Sequence, residues 1–166
     1  MARLRRSARR GRVTFAVAMA LLAGCSDDGP GAGCGPITRE ALDPAWLVHV
    51  VGNAAGVDYA SDPPTSGPHQ PAPPVEAVED EPITRPVQVG ILERGDVLVQ
   101  YDPDLSDGDR ARLEDLAGDG VVVAPNPELP DPIVATAWLY KRTCDDADVD
   151  SLQGFIDERL GKGPEG

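Results

Sequence analysis

A proline-rich stretch constrains the fold of this chain more than any other feature of its sequence. Eight of the 17 prolines in the 166 residues lie between Pro63 and Pro86. Proline fixes the backbone angle φ and has no N–H group to donate, so the stretch favours neither a helix nor a central β-strand. We predict that it forms a long irregular loop that wraps the protein surface.

The first 24 residues differ in composition from the rest of the chain. Residues 1–12 contain six arginines and no acidic residue, and residues 13–24 contain no charged residue. A basic segment followed by an apolar one is typical of an export signal. Twelve apolar residues are too few for a membrane-spanning helix, which needs about 20. We therefore predict that residues 1–24 are a signal peptide.

The end of this segment resembles the lipobox of bacterial lipoproteins, in which the cysteine is lipidated and becomes the mature N-terminus. The residues concerned are Leu22, Ala23, Gly24 and Cys25. An ordinary cleavage site beside an unmodified cysteine is the alternative. We predict that acylated Cys25 anchors the protein in the lipid bilayer outside the cytoplasm, because each buried methylene contributes about 0.8 kcal/mol. Residues 25–36 then form a flexible tether that is rich in glycine.

The charge and composition of the chain exclude several classes of function. Its net charge is −13 even with the arginine-rich leader included, so the remainder repels nucleic acid. Aromatic residues make up 4% of the chain, which offers no evident surface for stacking sugars or bases. We predict no cofactor and no nucleic-acid partner. The expected partners are the bilayer, through Cys25, and an envelope protein.

Two cysteines remain after Cys25 is assigned to lipidation. They are Cys34 and Cys144. An even pair in an exported protein predicts a disulfide bond. Two free thiols, or a metal pair, are the alternatives, and no CxxC spacing supports a metal pair.

The remaining sequence predicts four strands and two helices. Short apolar or alternating runs indicate the strands, and apolar residues at helical spacing indicate the helices. The predicted strands are residues 45–51, 97–101, 121–124 and 133–140, and the predicted helices run from Ser106 to about Ala117 and from Val149 to Leu160. This pattern indicates an α+β fold: a single domain with a mainly antiparallel sheet, two helices on one face and the long proline-rich loop.

Four segments together resemble the DUF3105 family, a bacterial domain of unknown function. They are PPTSGPH at 63–69, LERGDVLVQYDP at 92–103, VVVAPNPELPDPIVATAW at 121–138 and FIDERLGKGPEG at 155–166. The resemblance implies that residues 37–166 form an exported or membrane-anchored globular domain with no assigned reaction. Family members carry HxLEHG where this chain has residues 90–95. Gly90 and Arg94 stand in place of the two histidines, so a site built on those histidines would be largely lost here.

The segment around His69 is the candidate binding loop. Its residues are Pro63, Pro64, Thr65, Ser66, Gly67, Pro68 and His69, with Glu93 and Arg94 as further candidates. A metal site would use His49, His69 and Glu93, which is a short ligand set. A hydrolytic triad would use Asp62, Ser66 and His69, but no GxSxG motif accompanies them. The third interpretation, which we favour, is a rigid structural or recognition loop.

These observations predict an exported, lipid-anchored envelope protein of unknown function that acts as a binding or scaffolding module. We assign no catalytic residue and do not expect an enzyme. The alternative is a metal-dependent or redox accessory protein that uses His69 and His49.

Overall fold

The computed structural model describes residues 33–51 and 56–164. The predicted signal peptide, Cys25 and most of the tether lie outside these residues. In chain order the elements are β1 (Thr38–Arg39), α1 (Arg85–Glu93), β2 (Val97–Tyr101), α2 (Asp107–Glu114), β3 (Val121–Pro125), β4 (Ile133–Ala137), β5 (Tyr140–Cys144) and α3 (Val149–Arg159).

The five strands form one sheet in the order β1-β5-β4-β2-β3. Strands β2 and β3 are parallel and are connected through α2, and the other three pairings are antiparallel. The prediction of an α+β domain with a mainly antiparallel sheet is therefore confirmed.

Helices cover both faces of this sheet. Side chains alternate along β2, so that Val97 and Val99 pack into one cluster and Leu98 into the other. The two predicted helices, α2 and α3, bury Leu113 and Phe155 on the first face. The third helix, α1, was not predicted and buries apolar residues, including Leu92, on the opposite face.

Two predicted strands are wrong in detail. Residues 44–47 form a turn, and only His49 makes a strand-like bridge, to His69. The predicted strand 133–140 is instead a hairpin that turns at Trp138 and Leu139 and returns as β5. Leu139 has a positive φ of 64°, which leucine rarely adopts, so the turn carries no glycine or asparagine signal.

The predicted helices are confirmed with shorter ends. Helix α2 ends at Glu114 rather than near Ala117, and α3 ends at Arg159 rather than Leu160. None of the helices in the described ranges is long and apolar enough to cross a membrane.

Candidate functional site

The loop at residues 63–69 is buried, which corrects the prediction that the whole proline-rich stretch wraps the surface. Every residue from 63 to 69 is buried, and His69 is 0% exposed. Most of residues 71–82 are exposed or partly exposed, as predicted. The candidate loop is thus a rigid part of the interior rather than a surface projection.

Two residues that the sequence did not single out hold this loop in place. The backbone N–H of Asp43 donates to Ser66 Oγ at 2.9 Å, and the hydroxyl of Tyr59 donates to the Pro68 carbonyl at 2.9 Å. Gly67 has a φ of +132°, and a Cβ atom there would lie 2.8 Å from the Tyr59 ring. No local sequence signal marks Asp43 or Tyr59 for this role, because both contacts depend on tertiary packing: Asp43 is 23 residues from Ser66, and Tyr59 is 9 residues from Pro68.

The bridge between His49 and His69 brings two histidines together that are 20 residues apart in sequence. The N–H of Val50 donates to the His69 carbonyl at 2.8 Å, and the N–H of His69 donates to the Val48 carbonyl at 3.0 Å. The two rings lie edge to face, with their centroids 4.9 Å apart. His69 is buried while His49 is exposed, so one side of the pair faces solvent.

Glu93, the last residue of α1, completes this cluster. Its Oε2 atom lies 2.7 Å from Nε2 of His69, and Glu93 is 6% exposed. The other ring nitrogen of His69, Nδ1, lies 3.0 Å from the Gly67 carbonyl. A carbonyl oxygen only accepts, so Nδ1 carries a proton and donates it to Gly67. One donor atom from each of His49, His69 and Glu93 lies within 4.8 Å of the others, which is a spacing suited to a metal ion.

Arg94 contacts the proline-rich stretch outside the 63–69 loop. Its Nη1 donates to the Pro73 carbonyl at 2.9 Å, and its Nε lies 2.5 Å from Oδ2 of Asp96. Arg94 therefore links the proline-rich stretch to the end of α1 and is not part of the histidine cluster.

The triad of Asp62, Ser66 and His69 is not assembled. Asp62 pairs with Arg85 at 3.1 Å, Ser66 Oγ accepts from Asp43, and His69 bonds Gly67. Each side chain is committed to a different partner, so no proton relay links them.

Burial changes the pKa of two groups that support the loop. It raises the pKa of the Tyr59 hydroxyl to about 12, although Arg85 opposes the shift. It lowers the pKa of Lys141, whose Nζ donates to the Asp62 carbonyl at 2.7 Å. Both groups act as hydrogen-bond donors to the backbone at the ends of the loop.

A cleft of about 440 Å³ opens beside the first turn of α1 and is lined in part by Tyr59, Thr84 and Gln88. Among the described residues, the cleft wall does not include His49, His69 or Glu93. The cluster therefore does not form the floor of this cleft.

The predicted disulfide between Cys34 and Cys144 is present. It connects the segment before β1 to the end of β5, where Gly35 N–H also donates to the Thr143 carbonyl at 2.8 Å. The bond thus fixes the point at which the chain enters the domain.

A family model described as "Protein of unknown function (DUF3105)" matches residues 50–166. The match includes His69, Glu93 and Cys144 but begins one residue after His49 and leaves out Cys34. No curated protein and no solved structure gives a significant match to the chain. Because the matched residues are well over half of the 166, this chain belongs to the DUF3105 family.

Proposed function

We propose that this chain is an exported envelope protein, held in the bacterial membrane by acylated Cys25, that acts by binding another envelope protein. The Cys34–Cys144 disulfide is the observation that carries the location. Structural disulfides form and persist outside the reducing cytoplasm.

The position of the disulfide also supports the anchor. Cys34 lies nine residues after Cys25, and the segment between them is rich in glycine and acidic residues. Such a segment has little apolar surface to bury and suits a short spacer. The domain would then be held close to the bilayer at the end where Cys34 joins β5.

The segment around His49 supports binding as the activity. Leu47 is 71% exposed, Val48 is 48% exposed and Val51 is 100% exposed. Single exposed apolar residues are common, but three within five positions favour an interaction surface. Trp46, which precedes them, packs edge to face on Trp138 at 6.1 Å and so attaches the segment to the domain.

Fractionation and mass spectrometry of the native protein test the anchor. We expect the protein in the membrane fraction, with residue 25 as its acylated first residue. Cys25→Ser should abolish acylation, while the matched variant Cys34→Ala should retain it. A native chain that keeps its leader, carries no acyl group and is found in the cytosol would refute the anchor.

Crosslinking in the native membrane tests the binding surface. We expect wild type to capture a defined envelope protein, and the double variant Leu47→Ser/Val51→Ser to lose that capture. Val78→Ser changes an apolar residue that is 37% exposed outside the segment, and it should capture the partner normally. Equal capture by all three proteins would rule out the Leu47–Val51 surface.

A further inference from the structure

We propose that His49, His69 and Glu93 bind one divalent transition-metal ion of the class that prefers imidazole nitrogen, such as Zn²⁺. This site is independent of the membrane anchor, and it would give the domain a ligand that the family description does not assign.

Nε2 of His69 faces the Glu93 carboxylate inside the domain. Nδ1 donates its proton to Gly67, so a ring with no second proton presents a bare Nε2 toward Glu93. Nε2 is fully buried and lies 2.7 Å from the Glu93 carboxylate, so a proton or a metal ion must lie between the two atoms. Two electron-rich atoms this close in a site of low dielectric repel each other unless a cation lies between them.

His49 supplies the third donor. His49 is exposed and its ring lies against that of His69, so it approaches the pair from the solvent side, with one nitrogen within 4.8 Å of the other two donors. Zinc ligands lie about 2.0–2.2 Å from the ion, which places tetrahedral donors about 3.4 Å apart. The His69 and Glu93 donors lie 2.7 Å apart and all three donors lie within 4.8 Å of one another, so binding an ion requires Glu93 to move back slightly and the exposed His49 to rotate inward.

Backbone groups hold the ligands in position. The Gly67 carbonyl orients the His69 ring, as the partners behind metal-bound histidines commonly do. The backbone hydrogen bonds of Val48 and Val50 to His69 hold His49 beside it. Two ligands are therefore buried and oriented before an ion arrives, which lowers the entropic cost of binding.

The donor set decides the class of ion. Two imidazoles and one carboxylate suit Zn²⁺, Co²⁺ or Ni²⁺, whereas Ca²⁺ and Mg²⁺ require shells of oxygen. Three protein ligands leave a fourth position for water or for a donor from a partner. The exposed side of His49 is where that position opens.

A proton is the competing cation. A doubly protonated His69 paired with ionised Glu93 would also satisfy the buried atoms, and His49 would then have no part in the site. The two hypotheses therefore differ in what His49 does.

The test uses the full chain without a histidine tag, purified in detergent with its disulfide intact and stripped of metal by a chelator. Titration calorimetry with ZnCl₂ and visible absorption with CoCl₂ should show one ion bound per chain. CaCl₂ and MgCl₂ should not compete at equal concentration. His49→Ala should weaken zinc binding at least about 100-fold, because it removes one of three ligands.

His49→Ala is a suitable variant because the bridge uses the backbone of Val48 and Val50 rather than the His49 side chain. Its circular dichroism spectrum should match that of wild type. Asp145→Asn, which alters an exposed acid outside the cluster, is the matched control and should bind zinc normally.

Nitrogen NMR of the imidazole rings gives a second readout. Zinc should shift Nε2 of His69 and leave Nδ1 protonated. The proposal fails if neither zinc nor cobalt binds, if His49→Ala binds zinc as tightly as wild type, or if Asp145→Asn loses zinc binding. An Nε2 that carries a proton both before and after zinc is added would also overturn it, in favour of the ion pair. A cytosolic, unacylated protein that still binds zinc would refute the anchor alone.

Discussion

Nε2 of His69 and Oε2 of Glu93 lie 2.7 Å apart in a site where His69 is fully buried. The variant Glu93→Gln distinguishes a metal ion from a proton as the cation between these two atoms. The amide of glutamine can donate to the bare Nε2, so we expect the metal-free variant to keep its unfolding free energy within about 1 kcal/mol of wild type. Excess zinc should stabilise wild type by about 2.7 kcal/mol at 100 times the Kd, but not the variant. Urea unfolding with and without zinc measures both quantities.

A large loss in the absence of zinc would contradict this expectation. Breaking a buried ion pair costs about 3–5 kcal/mol, because one charge is left without its partner. If Glu93→Gln loses that much while Asp145→Asn does not, His69 and Glu93 form a permanent ion pair rather than a metal site.

Gly90 lies in the middle of α1, at the point where the backbone of Gln70 crosses the helix. A Cβ atom at position 90 would lie 2.0 Å from the Gln70 carbonyl oxygen. We expect Gly90→Ala to lower the free energy of unfolding by about 1–3 kcal/mol, because the backbone beside His69 must move. Chemical denaturation measures this loss, and zinc affinity should fall with it.

Gly154 provides the matched control for that substitution. It also lies within a helix, α3, but a Cβ atom there would meet nothing within 4 Å. Gly154→Ala should raise the free energy of unfolding by about 0.5–1 kcal/mol, because alanine favours the helix more than glycine does. Similar effects at positions 90 and 154 would refute the close crossing of Gln70 over α1.

Local signals predicted part of the fold correctly. Ser106 caps α2 by accepting from the N–H of Asp109, and β2 spans the predicted Val97–Tyr101. The pairing of Cys34 with Cys144 followed from the even number of cysteines that remained after lipidation. Each of these features depends on residue type and spacing alone.

Features that depend on distant packing were not predictable. Helix α1 has no side-chain cap from Thr84 and contains Gly90, so local propensity disfavours it, and its apolar residues form a helix only against the sheet. Thr65 and Ser66 lie in the proline-rich stretch that we predicted to wrap the surface. They are buried because partners far along the chain, Leu139 and Asp43, satisfy their hydrogen bonds.

The candidate site was likewise predictable in its residue types but not in its assembly. The sequence suggested His49, His69 and Glu93 as weak metal ligands from residue type. Their approach depends on one backbone bridge and on a helix that the sequence did not reveal. Asp43 and Tyr59, which hold the loop, carried no signal.

The disulfide should contribute a large share of the stability of the domain. Cys34 and Cys144 are 110 residues apart, and closing a loop of that length in the unfolded chain contributes about 4–5 kcal/mol. We expect the double variant Cys34→Ala/Cys144→Ala to lose at least this amount in urea unfolding, since Cys144 is also buried.

Reductant supplies the control for the disulfide. Wild type with reductant should approach the stability of the double variant, and the variant itself should not respond. Two thiols that react in native wild type before reduction, or a loss below about 1 kcal/mol, would contradict the predicted contribution of the bond.

Tyr59 should make stability fall in alkaline solution. Its pKa is about 12 in the folded protein and 10.0 without the fold, so the folded state holds the proton more tightly. The hydroxyl therefore contributes fully to the free energy of unfolding below pH 10.0, and this contribution is lost as the pH rises toward about 12.

The variant Tyr59→Phe isolates this effect. Lys141 has a lowered pKa and changes the free energy of unfolding in the opposite direction, but it is present in both wild type and the variant. The difference between their unfolding free energies should stay constant from neutral pH to pH 10.0 and then decline. A difference that stays constant up to pH 12 would show that folding does not raise the pKa of the Tyr59 hydroxyl.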